Sequence, residues 1–207
     1  MEIIKICGIT RVEDALMAIR AGATAIGLNF YPGSPRYLDV GRAAMIAAVA
    51  PPSVLKVGVF VDEEIDRIRA VAGAARLDVA QLHGAEPPID CELLEPCRVW
   101  KALQVDEDFN PRLLADYKCE AFLLDTGGGA GQPFPWALAR EAARYGRIIV
   151  AGGLDQDNVG EAIRQLAPWG VDASSRLERS PGVKDPERVA AFIQAARQAA
   201  ALAAGEP

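Results

Sequence analysis

The feature that most constrains the fold is an alternation of short apolar runs with longer amphipathic stretches, repeated along the whole 207-residue chain. The apolar runs occupy residues 3–7, 25–29, 55–61, 79–82, 99–103, 122–125, 148–151 and 171–173. Stretches with helical periodicity follow most of them, at 12–21, 40–50, 64–74, 136–145, 158–166 and from Pro186 onward. Short, continuously apolar strands are typical of a parallel sheet that is covered on both faces.

Eight such units favour an α/β fold in which the strands close into a (β/α)8 TIM barrel. A doubly wound open sheet is the alternative fold. The fifth unit is the weakest, because only a proline-interrupted segment at 111–117 follows its strand, so we predict a weak or missing fifth helix. No linker or change in composition divides the chain, and we expect residues 1–207 to form a single catalytic domain.

Charge and cysteine content argue against several classes of protein. The net charge of −6 disfavours binding to nucleic acid or to an anionic membrane. The four cysteines form no CxxC pair and His83 is the only histidine, so we expect neither a Cys/His metal site nor a disulfide framework. Signal-peptide and membrane-helix patterns are absent from the sequence. We therefore expect a reduced, cytoplasmic protein that acts on a small molecule.

Reactive side chains are concentrated where the predicted strands end. Cys7 closes the first strand, His83 the fourth and Asp125 the sixth, and Arg36 lies in the loop after the second. Each has an ordinary explanation, such as a buried strand cysteine or an aspartate that caps a turn. Active sites of (β/α)8 barrels lie at the C-terminal ends of the strands, so four such residues on one rim favour an active site.

Two loops predict a phosphate site on the same rim. Gly152 and Gly153 follow the seventh strand, and Ser174 and Ser175 follow the eighth. Loops at these two places in a barrel commonly bind phosphate through backbone N–H groups, and glycine lets the backbone approach the anion closely. We therefore predict a small phosphorylated metabolite as the substrate. The glycine-rich segment 127–131 is either a lid over this site or a plain connector.

Seven short motifs, in order along the chain, resemble those of the phosphoribosylanthranilate isomerase family of tryptophan biosynthesis. They are Lys5-Ile6-Cys7-Gly8-Ile9-Thr10, Ser34-Pro35-Arg36, Gln81-Leu82-His83-Gly84, Leu124-Asp125, Phe134-Pro135-Trp136, Ala151-Gly152-Gly153-Leu154 and Pro181-Gly182-Val183-Lys184-Asp185. The resemblance implies a barrel enzyme that converts N-(5-phosphoribosyl)anthranilate to 1-(2-carboxyphenylamino)-1-deoxyribulose 5-phosphate. This Amadori rearrangement needs neither a cofactor nor a metal.

The resemblance also implies a role for each site residue. Asp125 is expected to be the general acid that protonates the furanose ring oxygen, and Cys7 the general base that removes the sugar C2 proton. Arg36 is expected to hold the anthranilate carboxylate through a charge-assisted fork. His83 is expected to support the site, and Asp172 to lie near the ribose. The phosphate-binding residues are expected to be Gly152, Gly153, Ser174 and Ser175.

The acid and the base of this pair are poorly matched to neutral pH. With ordinary pKa values, roughly 3% of a thiol is ionised at pH 7 and roughly 0.1% of a carboxyl group is protonated. Burial raises the pKa of a carboxyl group, and a nearby cation lowers the pKa of a thiol. We expect a raised pKa at Asp125 to be the larger effect. Lys5 is a candidate cation for Cys7 if the first strand is regular, because alternate residues then share a face.

One position departs from the family pattern. The family usually has glycine after the two serines of the strand-eight loop, where this chain has Arg176. The guanidinium either contacts the phosphate or crowds its pocket. In the second case the chain is expected to be a non-catalytic or altered phosphosugar-binding barrel. Another alternative is a related isomerase such as that of the histidine pathway, which is expected to have aspartate in place of Cys7. We expect a monomer or a homodimer.

Overall fold

The computed structural model describes residues 1–106, 108–125 and 136–205, and its eight parallel strands close into a barrel in chain order. The strands are β1 (Ile3–Ile6), β2 (Ala25–Asn29), β3 (Leu55–Phe60), β4 (Val79–Leu82), β5 (Arg98–Gln104), β6 (Ala121–Asp125), β7 (Arg147–Ala151) and β8 (Gly170–Ala173). The first strand pairs with the last, from Ile3 opposite Gly170 to Ile6 opposite Ala173. This pairing confirms the predicted barrel and excludes the open sheet.

Helices connect the strands on the outside of the barrel. They are α1 (Val12–Ala21), α2 (Val40–Ala47), α3 (Ile65–Ala74), α4 (Pro88–Leu93), α5 (Trp136–Ala142), α6 (Val159–Leu166) and α7 (Pro186–Ala204). A short 3-10 helix at Pro111–Asp116 stands in the fifth position, as the weak pattern there predicts. The sequence pattern missed α4, which begins at Pro88; proline is tolerated at a first helical position because that N–H has no partner within a helix.

Alternation along the strands sorts their side chains into two layers. An inner cluster fills the barrel and consists of Ile3, Ala25, Val57, Val79, Trp100, Ala102, Ala121, Leu123, Ile149 and Ala151. A larger cluster packs the outer faces of the strands against the helices. Successive strand residues point to opposite faces, so Cys7, His83 and Asp125 continue the inward rows of Ile3, Val79 and Leu123. The alternation therefore aims these three side chains at the C-terminal mouth of the barrel.

A small hairpin follows β8 and was not predicted. A 3-10 turn at Ser175–Leu177 leads into β9 (Glu178–Ser180), which pairs antiparallel with β10 (Val183–Lys184). The register places Glu178 opposite Lys184. Asp185 then caps α7 by accepting hydrogen bonds from the next two backbone N–H groups along the helix.

Two features of the sequence lie outside the described residues: the glycine-rich segment 127–131 and the Phe134-Pro135 part of the fifth motif. Within the described ranges, no helix combines the length and apolar character needed to cross a membrane.

Candidate active site

Cys7 stands directly after β1, where the backbone of the neighbouring strand leaves little room. Its backbone N–H donates to the carbonyl oxygen of Ala173, 2.9 Å away, which continues the β1–β8 pairing by one residue. Gly27 in β2 lies against the thiol: a Cβ at that position would stand 2.6 Å from Cys7 Sγ and 3.0 Å from its Cα. Only glycine therefore fits beside Cys7 without displacing it.

Lys5 is a buried cation next to this thiol. Its Nζ donates to Asp172 Oδ1 at 2.9 Å, and its side chain is fully buried inside the barrel. Burial raises the pKa of the Cys7 thiol above its ordinary value, and the Lys5 ammonium opposes that rise through its charge and a hydrogen bond. Burial lowers the pKa of Lys5 itself, but Asp172 and Cys7 outweigh it and leave the pKa raised. Lys5 thus stays protonated on the face that it shares with Cys7.

His83 and Asp125 stand side by side at the ends of β4 and β6. His83 Nε2 lies 3.6 Å from Asp125 Oδ2, somewhat beyond hydrogen-bond distance. On the other side of the ring, Nδ1 lies 2.8 Å from Nε2 of the buried Gln81. With the Gln81 amide nitrogen as the donor, Nδ1 accepts, and the tautomer that fits this contact carries its proton on Nε2, facing Asp125. Gln81 therefore sets the ring orientation that presents an N–H to the carboxylate.

Arg36 is held by a pair of charges from the hairpin. Its Nε and Nη2 donate to the two carboxylate oxygens of Glu178 at 2.8 and 2.7 Å. Lys184 Nζ donates to Glu178 Oε1 at 2.8 Å from the other side. Burial raises the pKa of Glu178, but the hydrogen bonds from Arg36 and Lys184 outweigh it and hold the pKa below its ordinary value.

Sequence reasoning missed the role of this ion pair. Lys184 lay within a quoted motif without any assigned role, and Glu178 lay outside every motif. The sequence shows only an acidic and a basic residue six positions apart, and nothing in the local pattern indicates that they pair.

The predicted phosphate residues lie together around one cavity. The cavity measures about 290 Å³ and is lined by Asp125, Ala151, Gly152, Gly153, Leu154, Asp172, Ser174, Ser175 and Arg176. Gly152 and Gly153 have φ of 90° and 65°, a left-handed backbone that favours glycine. Arg176 is exposed at the edge, and its guanidinium has no hydrogen bond or ion pair in the part of the chain that the structure describes. The cavity thus combines backbone N–H groups, hydroxyls and the exposed guanidinium of Arg176.

A larger cavity adjoins the first at Asp125. It measures about 560 Å³, and its lining includes His83, Lys101, Leu103, Phe109, Tyr117 and Asp125. Asp125 lines both cavities, which places it at their junction.

Cys7 and Arg36 line neither of these two cavities, but both lie beside the loop that follows β8. Ser174 Oγ donates to the carbonyl oxygen of Cys7 at 3.1 Å. Gly8 has φ of 72° and lies between Arg36 and Ser174, where a side chain would collide with Arg36 Cδ. The predicted site residues therefore occupy one rim, with the thiol and the guanidinium on the β1–β2 side of the phosphate loop.

Comparison with known proteins identifies the family. The model of the N-(5'-phosphoribosyl)anthranilate isomerase family matches residues 4–195. The chain belongs to that family. A curated N-(5'-phosphoribosyl)anthranilate isomerase from Citrifermentans bemidjiense is 47% identical over 204 residues, which cover 96% of this chain and 98% of the relative.

Solved structures of the family agree with the barrel. A phosphoribosylanthranilate isomerase in complex with reduced 1-(o-carboxyphenylamino)-1-deoxyribulose 5-phosphate has a TM-score of 0.85 and 38% identity, with 96% of this chain and 100% of that chain covered. A structure of monomers of the dimeric isomerase from Thermotoga maritima has a TM-score of 0.84 and 38% identity, with the same coverage. Membership of this isomerase family confirms the resemblance read from the motifs and lends no support to a non-catalytic barrel.

Proposed function

We propose that the chain isomerises N-(5-phosphoribosyl)anthranilate to 1-(2-carboxyphenylamino)-1-deoxyribulose 5-phosphate in tryptophan biosynthesis. The observation that carries the proposal is the placement of Cys7 and Asp125 on inward-facing rows of one rim, next to a glycine- and serine-lined cavity of about 290 Å³. A family relative has been solved with a reduced form of this phosphorylated product. The reaction needs one acid, one base and a phosphate site, and the rim supplies a candidate for each.

The first step assigned to the site is ring opening. Asp125 transfers its proton to the furanose ring oxygen, the C1–O bond breaks, and the anilino nitrogen stabilises C1 as an iminium ion. His83 stands 3.6 Å from the Asp125 carboxylate and presents an N–H that supports the anion left behind. Asp125 borders both cavities, so a ligand with its phosphate in the smaller one brings the sugar past the acid.

The second step is proton abstraction from C2. The Cys7 thiolate takes the C2 proton, and the C–H electrons form a C1–C2 double bond and neutralise the iminium. The resulting enolamine becomes the ketose when C1 gains a proton and the C2 hydroxyl loses its proton to solvent or to a basic group. The two steps open one C–O bond and move protons between the substrate and its surroundings, with no net oxidation or reduction of the substrate, so the residues proposed here suffice without a cofactor or a metal. The Lys5 ammonium favours the thiolate, and Asp172 holds Lys5 in place at 2.9 Å.

The substrate is held at its two anionic ends. Backbone N–H groups at Gly152 and Gly153, with the hydroxyls of Ser174 and Ser175, bind the phosphate. Arg36 binds the anthranilate carboxylate. Asp172 lies near the ribose.

A fluorescence assay that follows the consumption of fresh phosphoribosylanthranilate tests the acid–base pair. Cys7→Ser and Asp125→Asn are each expected to lower kcat by at least about 10²-fold, because general acid or base assistance contributes about 10²–10⁴ per group. Cys97→Ser, at the opposite end of the barrel, and Asp66→Asn, on α3, are the matched controls and should keep the parent rate. Parent-like turnover in Cys7→Ser contradicts the role of Cys7.

The pH profile tests the match between acid and base. Turnover needs Asp125 protonated and Cys7 ionised, and the fraction of enzyme in that form is constant between the two pKa values and falls below the lower one, where thiolate is lost. A raised pKa at Asp125 therefore predicts that kcat/KM declines as the pH falls through a value above the ordinary carboxyl range. A profile that stays flat from about pH 5 to 9 on a chemistry-limited step contradicts that prediction.

We also propose a cytoplasmic protein that binds small phosphorylated molecules and neither nucleic acid nor membrane, on the basis of its net charge of −6. The homologous Thermotoga maritima isomerase is dimeric, and a monomer or homodimer is proposed here. Light scattering after size-exclusion chromatography measures the mass of the particle in solution and decides between the two states. A larger particle contradicts both.

A further inference from the structure

Three charged side chains form a chain of contacts behind the rim: Arg36, Glu178 and Lys184. Glu178 accepts from Arg36 at 2.8 and 2.7 Å and from Lys184 at 2.8 Å. The side chains of Glu178 and Lys184 are 4% and 0% exposed, whereas that of Arg36 is 20% exposed. Only Arg36 therefore offers polar atoms to a ligand.

The contact with Glu178 leaves one edge of the guanidinium free. A guanidinium group has two edges that can bind a carboxylate through a pair of parallel hydrogen bonds: Nε with one Nη, and the two Nη atoms together. Glu178 takes the edge made by Nε and Nη2. Nη1 has no hydrogen-bond partner among residues 1–106, 108–125 and 136–205. A second carboxylate can therefore bind to Arg36 only along the Nη1–Nη2 edge.

Lys184 determines whether that edge still attracts an anion. Glu178 alone would neutralise Arg36, but the Lys184 ammonium compensates the carboxylate and leaves the three groups with a net charge of one positive unit. Lys184 is itself fixed, because its Nζ also donates to the carbonyl oxygen of Ser174 at 3.2 Å and its backbone N–H donates to Asp14 Oδ2 at 3.1 Å. The ion pair is thus a rigid support whose own charges cancel.

We propose that Glu178, supported by Lys184, is a positioning residue that fixes the plane of the Arg36 guanidinium, so that its Nη1–Nη2 edge takes the carboxylate on the aromatic ring of the substrate. The inference rests on the proposed function, which makes that carboxylate the ligand of Arg36. Glu178 touches no substrate atom in this arrangement. Its contribution is to the preference for a ring that carries a carboxylate.

Two ligands that differ only in this group provide the test. One is reduced 1-(2-carboxyphenylamino)-1-deoxyribulose 5-phosphate, and the other is the same molecule without the carboxylate. Titration calorimetry gives the ratio of their affinities in the parent, in Glu178→Gln and in Arg36→Met. We expect the parent to prefer the carboxylated ligand and Glu178→Gln to lose at least about tenfold of that preference, since hydrogen bonds to charged groups are the strong ones. The affinity of the ligand without a carboxylate should stay within about twofold.

A double variant separates a loss of Arg36 positioning from a loss of folding. Glu178→Gln leaves the buried Lys184 ammonium without its carboxylate, whereas Glu178→Gln/Lys184→Met removes both charges and so leaves no unpaired buried ion. The double variant should lose the preference as well, and circular dichroism checks that each variant is folded. In the isomerase assay, Glu178→Gln should raise KM by a larger factor than it lowers kcat, a split that damage to the catalytic pair does not produce.

Four results contradict the inference in distinguishable ways. If Glu178→Gln and the double variant keep the parent's preference, Glu178 does not position Arg36. If both ligands weaken equally, Glu178 supports only the fold. If the carboxylated ligand binds more tightly to Glu178→Gln, Glu178 competes with the substrate for Arg36. If the parent binds neither ligand, or Arg36→Met keeps the preference, the proposed function or its assignment of Arg36 fails first.

Discussion

Replacing Gly27 by alanine tests how closely the rate depends on the position of the Cys7 thiol. The new Cβ would stand 2.6 Å from Cys7 Sγ, and ordinary contact begins at about 3.4 Å, so the shortfall is 3.4 − 2.6 = 0.8 Å. A rotation of the thiol alone does not relieve it, because the Cα of Cys7 would also lie within 3.0 Å. A misplacement of about 1 Å at a reacting group costs on the order of 10² in rate. We therefore expect kcat to fall by about 10- to 100-fold.

Two other glycines separate this effect from a general loss of stability. Gly170→Ala, at the end of β8 away from the rim, places a Cβ 2.5 Å from that of Ile3. Both Gly170→Ala and Gly27→Ala should destabilise the fold by about 1–3 kcal/mol. Gly170→Ala should leave kcat unchanged. Gly73→Ala, in α3, meets nothing within 4 Å and should stabilise the fold by about 0.5–1 kcal/mol. Steady-state kinetics well below the melting temperature of each variant gives the comparison. Equal losses of kcat in Gly27→Ala and Gly170→Ala, or a Gly27→Ala rate within about threefold of the parent, would refute the reasoning.

The remaining predictions concern the cations and thiols of the rim. Arg176→Gln should weaken competitive inhibition by inorganic phosphate by up to about tenfold. Arg179 is exposed but already paired with Asp185, so Arg179→Gln should leave the inhibition unchanged. Equal effects in the two variants would mean that only net charge matters. Burial holds the pKa of Cys7 above its ordinary value of 9.0. The rate of Cys7 alkylation by iodoacetamide, measured by mass spectrometry, should therefore rise about tenfold per pH unit between pH 7 and 8. A rate that reaches a plateau below pH 8 contradicts this. The lowered pKa of Glu178 means that its ionised form stabilises the fold above the ordinary value of 4.5 and loses that contribution as the pH falls through the lower native pKa. Glu178→Gln should therefore lower the free energy of unfolding by about 3–5 kcal/mol near pH 7 and by progressively less in acid. A loss of unfolding free energy that does not change with pH in denaturant titrations counts against the ion pair.

The architecture could be read from the chain because it depends on local patterns. Apolar runs of strand length, separated by helical stretches, leave a parallel sheet covered on both faces as the arrangement that buries them all. Once the barrel is accepted, Cys7, His83 and Asp125 are assigned to one rim by their positions at strand ends, and the alternation of strand side chains directs them inward. The weak fifth connection was also readable, because Pro111 interrupts the pattern and a 3-10 helix forms at Pro111–Asp116.

The partners of Lys5 and Arg36 were decided by the tertiary structure alone. Lys5 binds Asp172 across 167 positions of sequence, and Arg36 binds Glu178 across 142. Local periodicity reports which side chains are buried, but a buried charge needs a partner whose position depends on how the strands close. Closure of the barrel brings β8 and the hairpin after it beside β1 and the loop after β2. The sequence thus determined the barrel and the rim of candidate catalytic groups, while closure decided which carboxylate holds Lys5 beside the thiol and which edge of Arg36 stays open.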